Sequence, residues 1–86
     1  MKEVERILKA LANRRRIAIV KYLKNKRDAT VGDIAGEINL SFKATSKHLC
    51  ILSTADILEK EQRSLQVYYR LAGSQKPVAR AIIHLL

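Results

Sequence analysis

The chain is poor in the residues on which most small-protein chemistries depend. Its one cysteine, Cys50, allows neither an internal disulfide nor a zinc knuckle, which excludes a disulfide-stapled secreted scaffold and points to a reducing compartment. Three glycines supply no phosphate-cradling loop, and two histidines among scattered acids supply no paired carboxylates and no Ser/His/Asp or Cys/His arrangement. The chain is therefore not expected to be an enzyme or to carry a cofactor. No apolar run approaches the roughly 18 residues a membrane span needs. The opening Met1-Lys2-Glu3-Val4-Glu5 is charged where a secretory signal turns apolar, so a soluble cytoplasmic protein without membrane attachment is expected. Acid is scarce as well, with 8 Asp and Glu against 17 Lys and Arg, a formal net charge of +9.

At 86 residues the chain is read as one domain, 1–86. A domain this small hides only about 60% of its unfolded surface, so self-association is a sensible source of further stability. The positive charge is unevenly spread: residues 1–28 hold ten Lys and Arg against three acids, while residues 29–56 hold two against three. With 48% of residues hydrophobic, these charges decorate a packed fold, and a polyanion is the natural partner. A membrane surface is the competing basic-chain partner.

Hydrophobic periodicity then orders the chain. Val4, Ile7, Leu8 and Leu11 recur at helical spacing and predict a helix over about residues 2–12. Asn13 reads as the N-cap of a second helix, with Ile17, Val20 and Leu23 toward the core and Ala18, Ile19 and Tyr22 widening the stripe. Its first turn, Arg14-Arg15-Arg16, sets three cations on the positive end of a helix dipole, an arrangement eased by bound anions. Thr30 and Asp33 resemble a capping box opening a short third helix on Val31, Ile34, Ala35 and Ile38. Asn39 suits a left-handed stop, Leu40 fills the turn, and Ser41 caps a fourth helix over about 42–54 with Thr45, Leu49 and Leu52 inward. From Ile57 the period changes to two. A β-hairpin with its tip near Arg63-Ser64 follows, then a last helix opened by Pro77 and carrying Val78, Ala79, Ile82, Ile83, Leu85 and Leu86.

The order α-α-α-α-β-β-α is mainly helical, α+β, and predicts a winged helix-turn-helix. Leu8-Lys9-Ala10-Leu11-Ala12-Asn13, Ile34-Ala35, Leu40-Ser41, Ser46-Lys47-His48-Leu49 and Val67-Tyr68-Tyr69-Arg70-Leu71 stand in an order and spacing that resembles the ArsR/SmtB family of transcriptional repressors. That resemblance implies a dimeric DNA-binding regulator. Physical reasoning agrees: a helix fits the major groove, where short polar side chains reach base edges and basic groups hold phosphates. The candidate DNA-binding residues are Ser41, Lys43, Ala44, Ser46, Lys47 and His48 on the fourth helix, Arg63 at the wing tip, and Arg14 and Arg15. His48 has packing, hydrogen-bonding and phosphate-facing roles open to it. Where the family often shows Gln, Pro and Thr, this chain has Phe42, Lys43 and Ala44; Asp56 and Ser64 replace frequent glycines.

Metal-sensing relatives of that family carry a Cys-x-Cys pair on the third helix or several ligands on the last. Here the matching positions are Thr30 and Gly32, and His84 stands alone on the last helix, so no metal site is expected. Cys50 reads as a small buried or half-buried hydrophobe. The broad apolar faces of the first and last helices predict a homodimer through Val4, Ile7, Leu8, Leu11, Val78, Ile82, Ile83, Leu85 and Leu86. The expected function is sequence-specific binding of double-stranded DNA as a dimeric repressor, its inducer unspecified. A winged-helix protein-interaction or RNA-binding module is the alternative.

Overall fold

A computed structural model describing Met1–Leu86 contains five helices and one three-stranded antiparallel sheet. Helix α1 (Lys2–Leu11) turns Ile7, Ala10 and Leu11 into the core. Helix α2 (Arg14–Lys24) starts where Asn13 Oδ1 accepts the backbone N–H groups of Arg15 at 2.9 Å and Arg16 at 3.1 Å. Those are two of the donors a helix start leaves without an internal partner. The buried stripe of α2 is Ile19, Val20 and Leu23. Ile17, expected toward the core, is only half-buried, because at 100° per residue it projects past the edge of the arc those three define.

A strand not anticipated from the sequence follows. β1 (Ala29–Thr30) is two residues long, too short to show a period, and pairs with β3 through Ala29 opposite Tyr69 and Thr30 opposite Tyr68. Thr30 also caps α3 (Val31–Ile38): its Oγ1 accepts from the Asp33 N–H at 3.1 Å, and Asp33 Oδ2 accepts from the Thr30 N–H at 3.2 Å. This is the expected reciprocal box. Asn39, at φ 54°, ends α3 in the left-handed region, and the Leu40 N–H donates back to the Ala35 carbonyl at 3.0 Å. α4 (Phe42–Thr54) then buries Thr45, Leu49 and Leu52, as its spacing predicts.

Asp56, at φ 61°, turns the chain out of α4 into β2 (Leu58–Arg63), which pairs with β3 (Gln66–Leu71) across a turn at Ser64, φ 58°. Such left-handed positions favour Gly, Asn and Asp, and Asp56 meets that preference. Ile57 and Leu58 are both buried, although alternation predicted opposite faces; Ile57 lies in the corner before the ladder begins, its N–H bonded to the Leu52 carbonyl at 3.0 Å. α5 (Pro77–Leu85) opens on its proline and lays Ala79 and Ile83 against the core.

Two expectations about burial are corrected. Ile7, Leu11 and Ile83, assigned to a dimer face, are only 1%, 4% and 9% exposed and belong to the protomer's own core. Cys50, expected to be at least half-buried, is exposed, because on α4 it falls on the arc opposite Leu49 and Leu52.

Candidate nucleic-acid interface

The surface built around α4 is set by its cap. Ser41 Oγ accepts the Ala44 N–H at 3.1 Å, fixing the direction in which the helix leaves the turn and leaving its first N–H groups facing outward. Lys43 and Lys47, one turn apart, are exposed and take part in none of the chain's ion pairs. Ala44 and Ser46 beside them are half-buried. Thus Ser41, Lys43, Ala44, Ser46 and Lys47 come together as one outward strip.

The three arginines at the head of α2 divide. Arg14 is exposed; Arg15 is half-buried and donates to the Ile38 carbonyl at 3.4 Å, beside the turn that leads into α4. Both line an open groove with Lys21, Lys26 and Tyr22. Arg16 turns inward. Its Nε donates to the Ala10 carbonyl at 2.6 Å and its Nη2 to the Lys9 carbonyl at 3.3 Å, placing a cation on the negative end of α1. Its Nη1 lies 3.2 Å from His48 Nδ1.

That last contact gives His48 a hydrogen-bonding role. The ring is half-buried and accepts from Arg16, which joins the head of α2 to the middle of α4. Burial, then the charges of Arg16 and Arg15, hold its pKa below the ordinary histidine value. The neutral imidazole, with its proton on Nε2, is the form that fits.

Arg63 is likewise occupied. It bonds Asp28 and, at 3.1 Å, Glu61 Oε1, and stacks 4.3 Å from the centre of the Tyr68 ring. Arg70, opposite Glu59 in the ladder, bonds Glu59 and Glu61, each at 2.9 Å. The hydrogen bonds from Arg63 and Arg70 lower the pKa of Glu61. The wing therefore pairs Arg63 and Arg70 with its own acids, while Lys60 on β2 stays exposed and outside every ion pair; the cross-strand register of a short hairpin gives Arg70 this structural role.

No three His, Cys, Asp or Glu side chains converge anywhere in the chain, and the Thr30 hydroxyl is taken up by the α3 cap. No helix is long and apolar enough to cross a membrane.

Helices α2, α3 and α4 packed on one another, with an outward lysine strip on α4 and a β-wing beside it, define the winged helix-turn-helix class of transcriptional regulators. Residues 13–60 match the family described as bacterial regulatory protein, arsR family, and the chain belongs to that family. Its members are regulators rather than enzymes. The transcriptional repressor SdpR of Bacillus subtilis is 35% identical over 76% of this chain and 71% of its own length. The transcriptional activator HlyU of Vibrio cholerae is 29% identical over 93% of this chain and 73% of its own. A homodimeric winged helix-turn-helix DNA-binding domain, Mb0332 of Mycobacterium bovis, superposes with a TM-score of 0.85 at 32% identity, covering 98% of this chain and 74% of that one.

Proposed function

We propose that the protein is a symmetric homodimer that binds a palindromic operator in double-stranded DNA and represses transcription by covering a promoter. The observation that carries this reading is the strip on α4: Lys43 and Lys47 stand exposed and outside every ion pair beside a capped helix start, on the side of the helix away from the buried Thr45, Leu49 and Leu52. Set into the major groove, that strip puts Ser46 and Ala44 near base edges, with the two lysines, Ser41 and Arg14 and Arg15 near phosphates.

The pairing surface is drawn from what the protomer leaves uncovered. Met1, Val4, Leu8 and Ala12 line a shallow apolar depression along α1, with Leu8 45% exposed, and Leu85 at the end of α5 is 81% exposed. Val78, Ile82 and Leu86 stay half-buried beside them. Covering such surface recovers roughly 25 cal/mol per Å². Two-fold symmetry would offer the α4 helices to half-sites about one turn, roughly 10 bp, apart.

Selection of bound fragments from random duplex DNA, followed by titration at several salt concentrations, tests the reading. With about four phosphates neutralised per protomer, log affinity should fall against log salt with a slope near −7. Lys43→Gln and Lys47→Gln should each reduce that slope by about 2 per dimer. A flat salt response, or a monomer in sedimentation at tens of micromolar, would contradict it.

A further inference from the structure

The chain has one phenylalanine, and the fold leaves it outside. Phe42 is the first residue of α4 and is 63% exposed; it belongs neither to the core nor to the apolar side chains packed against the core. The other large exposed apolar residues have a different setting. Met1, Leu8 and Leu85 lie on the pairing surface, Ile51 lies in the far half of α4, and Leu65 is at the wing tip. Phe42 alone sits among the polar residues of the α4 strip, one turn before Ser46 and next to Lys43. Its position is fixed by the bond from the Ala44 N–H to Ser41 Oγ, because that bond sets the first turn of the helix.

A phenyl ring has no donor or acceptor and reads nothing in the hydrogen-bond pattern of a base pair. The major groove offers one apolar feature, the C5-methyl group of thymine. Resting on the proposal that α4 enters that groove, we propose that Phe42 is a specificity-determining residue that selects a thymine in each half-site by covering its methyl group. Water leaves both the ring and the methyl when they meet, so this contact favours T·A over C·G at that position without any hydrogen bond. A two-fold dimer makes the contact twice, at symmetric positions.

The test replaces thymines of a selected operator with deoxyuridine, which deletes the methyl and keeps every donor and acceptor. Substitution at one symmetric pair of positions should weaken the wild-type dimer about fourfold per half-site. Phe42→Ala and Phe42→Gln should bind the thymine and deoxyuridine duplexes equally, with unchanged melting temperature because the ring supports no core contact. Two results would overturn the assignment: no thymine responds in the wild type, or the response persists in both variants. Dissociation of the dimer by Phe42→Ala would also overturn it, since the ring would then face a second copy. A wild-type protein that retains no duplex from the random pool defeats the groove reading and this inference together, whereas a bound duplex indifferent to methyl loss defeats this inference alone.

Discussion

His48 illustrates how one side chain takes its role from its neighbours. It accepts from Arg16, and burial together with the Arg16 and Arg15 charges lowers its pKa in the folded chain. The unfolded chain titrates near 6.5 and so binds more protons than the native state over the interval below that value. Stability contributed by the neutral ring is complete above about pH 6.5 and is lost as pH falls through the lower folded pKa. Melting temperatures of the wild type should therefore decline as pH falls below about 6.5, and those of His48→Gln should decline less. Thr45 gives a second residue-scale expectation. It is fully buried and its Oγ1 has no hydrogen-bond partner, so Thr45→Val, which keeps the shape and removes the orphan hydroxyl, should raise stability by about 1 kcal/mol in urea unfolding. Neither setting is visible in the sequence, because Arg16 is 32 residues from His48 and nothing local marks which arginine of three turns inward.

At the scale of elements the sequence is far more legible. Helices α1 to α5 follow from apolar spacing of three and four, and Asn13, Thr30 with Asp33, Ser41 and Pro77 mark their starts through chemistry that acts within a few residues. Asn39 and Asp56 occupy left-handed positions for an equally local reason. Ser64 does so at greater strain, having a weaker preference for that region. Ser64→Gly should relieve it and stabilise the wing by up to about 1 kcal/mol, read as a higher melting temperature with unchanged circular dichroism. β1 escaped sequence reading since two residues carry no period and its pairing to β3 spans about half the chain. The corner at Ile57 escaped for a related reason: where a strand begins decides which face its first residues occupy, and the ladder alone defines that start.

For the whole molecule, the question is which apolar residues remain for a second copy. Nine residues on the first and last helices are apolar enough for an interface, but Ile7, Leu11 and Ile83 are consumed by the protomer's core, leaving Leu8 and Leu85 most exposed. Leu85→Glu, and Leu8→Glu in a separate variant, should shift the dimer toward monomer in sedimentation while changing the melting temperature of the monomer little, since neither side chain supports the core. Binding to the proposed palindromic operator should fall with the dimer, because on that proposal a lone protomer engages a single half-site. The charge distribution belongs to this scale too. The hairpin tip marks Arg63 as a candidate for DNA, and folding brings Asp28, Glu61 and Tyr68 around it.

The amino-acid sequence by itself determined the run of helices and the wing, the caps that start and stop them, and the excess of positive charge, because periodicity, capping and composition operate over a few residues or none. The family follows from the same short segments in their fixed order. Tertiary structure alone decided which cations stay free, that Lys43 and Lys47 do while Arg16 and Arg63 do not, and which apolar side chains, Phe42, Leu8 and Leu85 among them, remain uncovered. Pairing and burial are properties of segments distant in the chain, and only the packed fold sets them side by side.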